Sequence, residues 1–250
     1  MSRSRREARV YGLRATLAAG VHRPWALRRL FYHAKLRRPL APLLSACAAE
    51  RRPYREVSEE ELCRLAKSQH HEGVVLFTEP LEPCPIELPL RNREPLWLAL
   101  DGVGNDHNIG AIARTMAWFG VPPLLWEGES GHLSGAALRI SQGGAEEIAR
   151  VVTPSLLAAL RQLKDAGVTL IGADQGAPKS CFDQLPRGPV CWVLGNEQSG
   201  LSVECGALCD ERRTIPGGGA IESLNVSVSA AVLIAESCRQ LGLNRSQRTR

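Results

Sequence analysis

The chain has 250 residues, 44% of them apolar and 23% charged, which is the composition of an ordinary globular protein. No apolar run approaches the roughly 18–20 residues needed to cross a bilayer, so a membrane protein is not expected. The charge is unevenly distributed, because residues 1–55 hold 14 Lys/Arg and 2 Asp/Glu whereas residues 56–250 hold 17 and 24. Clustered arginines bind phosphates well, so the first segment predicts a nucleic-acid partner, with a solvated basic surface as the alternative.

The eight cysteines are scattered along the chain and include no C-x-x-C pair, which leaves no ligand set for zinc and predicts no metal site. The first ten residues are rich in arginine and lack the apolar core of a secretory signal. Their composition alone also fits an organelle transit peptide. Reduced structural thiols in a cytoplasmic protein are the expectation for such a chain.

The first 78 residues predict a small α/β domain. Apolar periodicity and turn residues indicate short strands that alternate with helices. Gly20 is expected to end the first helix, and Ser58 begins a capping box that opens the third. The predicted elements are a helix within 8–20, a strand at 27–33, a helix at 38–50, a strand at 54–57, a helix after 58 and a strand ending at 77.

Residues 79–95 contain five prolines and are predicted to be a linker, since so many prolines exclude a helix or a central strand. Residues 96–243 alternate apolar runs with helical patterns, which predicts a mostly parallel sheet with helices on both faces. Residues 244–250 are predicted to be a polar tail. The strands are predicted at 96–100, 123–126, 148–152, 169–173, 190–194 and 213–215, and the helices at 108–119, 155–165, 202–210 and 224–241.

Three polar loops follow predicted strands of the second domain, at the sheet edge where open α/β sheets bind ligands. The first loop leads into a helix that carries Arg114 off its apolar side. Asn108 stands at the predicted start of this helix, where it could act as a cap. The residues alone allow Arg114 a purely solvated role and Asn108 a purely capping one, and the glycine spacing is not that of a dinucleotide site.

The second and third loops, residues 195–200 and 215–225, are rich in glycine. The second holds Glu197 directly beyond an apolar strand, where its carboxylate either belongs to a ligand site or has the structural role of accepting hydrogen bonds from nearby backbone amides. The third holds a proline and three glycines before a helix that Ser223 or Asn225 could cap. A glycine-rich bend before a capped helix can offer backbone amides to a polar ligand, and the alternative is a simple turn.

Taken in order, the three loops closely resemble the SpoU (TrmH-like) family of RNA ribose 2′-O-methyltransferases within the SPOUT superfamily. The family's blocks N-x-G-x-x-x-R-T, L-G-N-E-x-x-G-L and I-P-x-x-G-x-x-x-S-L-N-V-S stand here at residues 108–115, 194–201 and 215–227. The N-terminal part is similar to the L30e-like substrate-binding domain that is often fused to this family, on residues 11–15 and 70–75. This similarity makes a transit peptide less favoured.

The resemblance implies a C-terminal domain knotted as a trefoil, S-adenosylmethionine as cofactor, a homodimer formed through this domain, and structured rRNA or tRNA as substrate. It implies catalytic roles for Arg114, Asn108, Glu197, Ser223 and Asn225. The implied cofactor contacts are Leu194, Gly195, Asn196, Ile215, Pro216, Gly217, Gly219, Ser223 and Leu224. In the basic N-terminal domain, the residues predicted to bind RNA are Arg14, Arg28, Arg29, Arg37 and Arg38.

The implied reaction is in-line transfer of a sulfonium methyl group to a ribose 2′-hydroxyl. A guanidinium keeps its proton in proteins, so we expect Arg114 to grip an RNA phosphate and stabilise the developing alkoxide. The proton would then leave to that phosphate or to water. Ser223 and Asn225 are expected to orient Arg114 or the ribose, and Glu197 to hold the loops together.

Two alternatives of other classes stay open. A non-catalytic RNA-binding protein that keeps this fold would explain the basic N-terminal part, and failure to bind S-adenosylmethionine would identify it. A phosphate- or nucleotide-binding metabolic enzyme would use the glycine loops, although the chain has no P-loop or dinucleotide signature.

The sequence departs from the family pattern at Asn105-Asp106, Gln198 and Gly217, which bears on loop conformation and substrate preference.

Overall fold

The computed structural model describes residues 7–121, 123–128 and 132–243, and it divides into two compact units. The first unit runs to Glu82 and also contains His132–Glu146, and the second holds the rest of the described chain. The strands in chain order are β1 Ala8–Tyr11, β2 Leu27–Tyr32, β3 Tyr54–Glu56, β4 Val74–Thr78, β5 Leu96–Leu100, β6 Pro123–Glu127, β7 Ala149–Thr153, β8 Thr169–Ala173, β9 Lys179–Ser180, β10 Val190–Leu194 and β11 Glu211–Thr214. The α-helices are α1 Leu13–His22, α2 Ala41–Ala49, α3 Glu59–Ala66, α4 Glu87–Arg91, α5 Asp106–Phe119, α6 Gly135–Ser141, α7 Gly144–Glu147, α8 Leu156–Asp165, α9 Val203–Leu208 and α10 Val226–Leu241.

The first unit is built on a four-stranded sheet in the order β1-β4-β2-β3. The β1–β4 and β4–β2 pairs are antiparallel, and the β2–β3 pair is parallel. Side chains of α1 and α2, among them Ala19 and Leu43, pack with Leu30 and Leu76 on one face of this sheet. On the other face, α3 packs its apolar side near Val75.

Gly20 does not end α1, and that prediction is wrong. The helix continues to His22, and a Cβ atom added at Gly20 would lie 2.5 Å from Cδ1 of Leu43. The glycine therefore lets α1 approach α2 closely instead of terminating the helix. The predicted capping box is confirmed, because the Ser58 hydroxyl accepts a hydrogen bond from the Glu61 N–H at the start of α3.

The segment His132–Glu146 differs most from the predicted domains, because it belongs to the first unit although the sequence around it belongs to the second. Its helix α6 lies along β1, and a Cβ atom added at Gly135 would lie 2.4 Å from a ring carbon of Tyr11. The Arg23 guanidinium donates to the Glu146 carboxylate at 2.8 and 2.9 Å, and both side chains are largely buried. The first unit is therefore discontinuous in sequence.

The proline-rich segment, residues 79–95, is not a linker without structure of its own. The boundary between the two units lies within it, after Glu82, and the short helix α4 forms beyond that boundary. Pro89 lies in the first turn of α4, where a helix needs no backbone N–H donor, so the predicted exclusion of a helix is wrong. Ile86 and Leu90 pack against the core of the second unit.

The second unit is an α/β fold with a seven-stranded sheet in the order β7-β6-β5-β10-β8-β11-β9, and all of its paired strands run parallel. Along β10, Cys191 and Val193 contact a core that includes side chains of α8 and α9. Trp192 points to the opposite face, where its indole N–H donates to the Ser237 hydroxyl of α10 at 2.8 Å. Helices therefore cover both faces, as predicted. The two-residue β9 and the helices α6 and α7 were not predicted.

Within the described residues, no helix combines the length and the apolarity that crossing a membrane requires. The predicted polar tail, residues 244–250, lies outside the residues that the structure describes.

Candidate functional site at the carboxyl ends of β5 and β10

The first polar loop leaves β5 and enters α5 earlier than predicted. The helix begins at Asp106, and its N-cap is Asn105, whose side-chain oxygen accepts a hydrogen bond from the His107 N–H at 2.9 Å. Asn108 therefore lies within the first turn, and it is only 8% exposed. The prediction that Asn108 could cap this helix is wrong, and its side chain is instead directed into the site.

Asp101 connects the first loop to the second, a role that the sequence analysis missed. Its N–H donates to the Leu194 carbonyl at 2.8 Å, and its carboxylate accepts from the Ser202 N–H at 2.7 Å. A third link runs from the Asn196 side-chain amide to the Gly102 carbonyl at 2.9 Å. The aspartate directly follows a buried strand, which was the signal available in the sequence. These bonds fix the two strand-end loops against each other.

The second loop closes on itself at a glycine that tolerates no side chain. The N–H of Asn196 donates to the Gly200 carbonyl at 3.0 Å, and the N–H of Gly200 returns to the Asn196 carbonyl at 2.9 Å. A Cβ atom added at Gly195 would lie 2.1 Å from the carbonyl carbon of Gly200. Because main chain cannot give way as a flexible side chain can, the close approach requires glycine at this position.

A chain of hydrogen bonds joins all three loops. The Asn108 side-chain amide donates to the Glu197 carboxylate, and the Asn108 side-chain oxygen accepts from the Asn225 amide at 3.0 Å. These contacts span 89 and 117 residues of sequence. Three of the predicted catalytic residues are therefore in direct contact through the buried Asn108.

The final helix begins at Val226, two residues later than predicted. Asn225 is its N-cap, and the Asn225 side-chain oxygen accepts from the N–H of Ser227 at 2.9 Å and from its hydroxyl at 2.6 Å. Of the two predicted candidates, the cap is therefore Asn225. Its side chain fixes the helix start with its oxygen while its amide reaches Asn108.

The third loop is exposed, and its main chain makes few hydrogen bonds within the described residues. Among the hydrogen bonds of the described residues, none has a backbone N–H from residues 215–224 as its donor. Ser223 is exposed, and Leu224 and Ile221 are 40% and 71% exposed. The loop contains the predicted cofactor contacts Ile215, Pro216, Gly217, Gly219, Ser223 and Leu224, whereas Leu194, Gly195 and Asn196 belong to the second loop.

Arg114 lies on the exposed side of α5 and is not part of the hydrogen-bond chain. Within the described part of the molecule, its guanidinium has no hydrogen bond and no ion pair. An exposed guanidinium without a protein partner keeps all its donors for an anionic ligand.

The five arginines predicted to bind RNA lie in the first unit. Arg14 is on α1, Arg28 and Arg29 are on β2, and Arg37 and Arg38 follow the short 3₁₀ turn Ala34–Leu36. All but Arg28 are exposed. Carboxylates pair with Arg28, Arg29 and Arg37, and these are Glu79, Glu7 and Glu56 respectively.

Burial makes two of the cysteines, Cys209 and Cys238, poor nucleophiles. All eight are free thiols, and burial raises the pKa of Cys209 and of Cys238 to about 11. Thiols with raised pKa values stay protonated near neutral pH and are poor nucleophiles. Over the described ranges, no three His, Cys, Asp or Glu side chains cluster as a metal site.

A covered parallel sheet with three linked polar loops at its carboxyl edge defines an α/β ligand-binding enzyme fold. The chain belongs to the SpoU rRNA Methylase family, whose model matches residues 95–235. Residues 9–84 match a second model, described as RNA 2′-O ribose methyltransferase substrate binding. The family inferred from the three sequence blocks is thus confirmed.

Relatives cover almost the whole chain. It is 31% identical over 234 residues to the 23S rRNA (guanosine-2′-O-)-methyltransferase RlmB of Bordetella pertussis, covering 92% of this chain and 96% of that protein. It is 30% identical to the uncharacterized tRNA/rRNA methyltransferase YfiF of Escherichia coli O157:H7, over 94% of this chain and 68% of that protein. The crystal structure of the SpoU methyltransferase AviRb from Streptomyces viridochromogenes with AdoMet superposes with a TM-score of 0.80 at 25% identity, covering 95% and 92% of the two chains.

Proposed function

We propose that this protein transfers a methyl group from S-adenosylmethionine to a ribose 2′-hydroxyl in structured rRNA or tRNA. The observation that carries the proposal is the hydrogen-bond chain from Glu197 through Asn108 to Asn225. It joins the three segments by which the chain resembles RNA 2′-O-methyltransferases, so the segments act as one site. Family membership and the function named for the Bordetella relative support the same reaction.

We further propose that the second and third loops hold the cofactor. S-adenosylmethionine, when bound, supplies an electrophilic methyl group on a sulfonium sulfur. The backbone N–H groups of residues 215 and 217–224 donate no hydrogen bond to any described residue, and they suit the hydrogen-bonding edges of its adenine and its carboxylate. Gly217 and Gly219 have no heavy atom within 4 Å of an added Cβ, so the loop has open space beside it. The residues present therefore fit the cofactor.

In this proposal Arg114 acts on the RNA. A guanidinium keeps its proton in proteins, so Arg114 cannot serve as the base. It holds an RNA phosphate and stabilises the negative charge that develops on the ribose oxygen, while the proton leaves to the phosphate or to water. Ser223 orients the ribose. Asn225, Asn108 and Glu197 keep the loops in register so that the hydroxyl lies about 3–3.5 Å from the methyl carbon.

The test of the reaction is transfer of tritium from methyl-labelled S-adenosylmethionine to rRNA and tRNA, with the labelled nucleotide checked for resistance to alkaline hydrolysis. Arg114→Ala is expected to lower the rate at least about 100-fold, as loss of a charge-stabilising donor does. Calorimetric affinity for the cofactor should stay unchanged. Arg161→Ala removes an exposed arginine from α8 and is the matched control. Normal turnover by Arg114→Ala would rule out its role, and absent cofactor binding by the wild type would favour a non-catalytic RNA-binding protein.

We also propose that the second unit is knotted. The order β5-β10-β8-β11 separates β11 from β5, yet α10, which follows β11, packs against α5 and β10. The chain therefore crosses back over the sheet between β11 and α10, a path that supports a threaded C-terminus. Stretching the second unit from its ends tests the knot, because a tightened knot leaves the unfolded chain shorter than about 3.3–3.6 Å per residue.

A homodimer in the cytoplasm completes the proposal. Trp118 of α5 and Val228 of α10 are 67% and 48% exposed, and large apolar side chains exposed on neighbouring helices suit a subunit contact. Sedimentation of the full chain tests the dimer. The free thiols support a reducing compartment, which fractionation of expressing cells would test.

A further inference from the structure

The sheet of the first unit carries arginine and phenylalanine side chains in alternation on one face. Strand register pairs Phe77 of β4 with Arg9 of β1 and with Arg29 of β2, and pairs Phe31 of β2 with Arg55 of β3. Directly paired residues project their side chains to the same side of a sheet. We call these five side chains the arginine–phenylalanine face.

This face is only partly covered by the first unit itself. Helix α3 packs at one end of it, where Leu62 and Ala66 contact Val75. The two phenylalanine rings pack against this same cluster and are half-buried, with centroids 5.9 Å apart and an interplanar angle of 85°.

The arginines lie over the rings. The guanidinium carbon of Arg29 lies 4.5 Å from the centroid of Phe77, and that of Arg55 lies 5.8 Å from the centroid of Phe31. The Arg29 and Arg55 side chains are 43% and 62% exposed. The sheet thus presents two planar guanidinium groups to solvent, each lying over an aromatic ring. The ring restrains the guanidinium already in the free protein, so that a ligand need not supply the side-chain entropy of ordering it.

We infer that the arginine–phenylalanine face binds an unpaired segment of the substrate RNA by stacking two of its bases on Arg29 and Arg55. Unpaired bases stack on guanidinium planes and on aromatic rings, and duplex RNA has no exposed base faces to offer. The inference rests on the proposed function, because it assigns to this face the RNA that the second unit methylates.

Charge complementarity supports RNA as the occupant. Three arginines converge on the face, and the first 55 residues carry 14 Lys/Arg against 2 Asp/Glu. Two carboxylates, Glu7 and Glu61, pair with Arg29 and Arg55. Both pairs are exposed, and exposed ion pairs are weak, so an RNA phosphate can replace either carboxylate.

The test separates stacking from charge in the full-length protein. Fluorescence anisotropy compares a dye-labelled single-stranded oligoribonucleotide with a blunt-ended RNA duplex of the same length, both without cofactor. The double variant Arg29→Lys/Arg55→Lys keeps both positive charges and loses both planar guanidinium groups. It should bind the single strand about tenfold or more weakly, given what base stacking contributes per position, and bind the duplex as the wild type does. Its salt dependence should match the wild type, because the number of cations is unchanged.

Arg161→Lys/Arg187→Lys is the matched control, since it makes the same exchange at two exposed arginines of the second unit and should bind the single strand as the wild type does. Wild-type single-strand affinity in Arg29→Lys/Arg55→Lys would overturn the inference, as would equal affinity of the wild type for a polyglutamate peptide of the same charge. The measurement needs no methyl transfer. Weaker binding of single-stranded RNA by the double variant therefore supports base stacking on this face even if the protein transfers no methyl group. Unchanged binding overturns the stacking and does not bear on the proposed reaction.

Discussion

The hydrogen bond between the buried Asn108 and Glu197 can be tested by exchanging its donor and its acceptor. The variants Asn108→Asp and Glu197→Gln, made singly and together, measure how strongly this bond holds the loops. In the structure the Asn108 amide donates to the Glu197 carboxylate. Asn108→Asp replaces that donor by a second carboxylate. A hydrogen bond to a charged group contributes about 1.5–3 kcal/mol. Two carboxylates about 4 Å apart repel by about 4 kcal/mol at an effective dielectric constant near 20, and the exposure of Glu197 reduces this to about 1–2 kcal/mol.

The single variant Asn108→Asp should therefore lower the free energy of unfolding of the second unit by about 3–5 kcal/mol. Glu197→Gln alone should cost about 1 kcal/mol, because Asn108 still donates to a neutral oxygen. In the double variant the new glutamine amide donates to the new carboxylate, and the Asn225 amide keeps its acceptor. The double variant should therefore recover all but about 1 kcal/mol of the loss.

Urea unfolding followed by tryptophan fluorescence measures these energies, since Trp97 and Trp192 are buried in the second unit. Methyl transfer by the same four proteins should rank in the same order. If the double variant loses the sum of the two single losses, then the side chains do not interact and the account of the site is refuted.

Two further predictions concern the stability of the second unit. Ser237→Ala removes the acceptor of the buried Trp192 indole N–H, and the unpaired donor should lower the free energy of unfolding by about 1–3 kcal/mol; an unchanged urea midpoint would contradict this. Burial alone would raise the pKa of Asp210, but hydrogen bonds from the Lys164 ammonium and the Leu170 N–H outweigh it and lower that pKa. A carboxyl group whose pKa is lower in the folded state stabilises the fold at pH values above its ordinary pKa, and this stabilisation is lost as the pH falls through the lowered pKa. Asp210→Asn should therefore lower the free energy of unfolding by about 1 kcal/mol at pH 7 and by progressively less below about pH 4. Thermal melts across this range measure the difference, and a constant difference would be the contrary result.

Local sequence patterns predicted those elements whose signal is contained in their own residues. The apolar runs at β5 and β10 are strands because each is buried on both faces of a parallel sheet. Ser155 and Ser202 cap α8 and α9 with bonds to N–H groups three residues away, a spacing visible in the sequence.

The features that were missed depend on partners remote in sequence. Gly20 has the form of a helix terminator, and only its contact with Leu43 shows that it serves packing. Asn108 has the form of a cap, and its true partners lie 89 and 117 residues away. The helix α6 is stabilised by β1, more than a hundred residues earlier. No periodicity or turn signal encodes such distances, and only the matched family blocks indicated that the three loops belong together.

The discontinuous first unit has a consequence for how the protein is made. Its edge strand β1 is covered by α6, and Arg23 finds its buried carboxylate only at Glu146. A ribosome adds about 5–20 residues per second, so the first unit waits several seconds after residue 82 for the segment that completes it. During that interval β5, α5 and β6 emerge, and the open edge of β1 is available to wrong strand partners. The two units therefore cannot mature one after the other, and a nascent chain halted before residue 132 should be more vulnerable to proteases and to aggregation than its length alone would suggest.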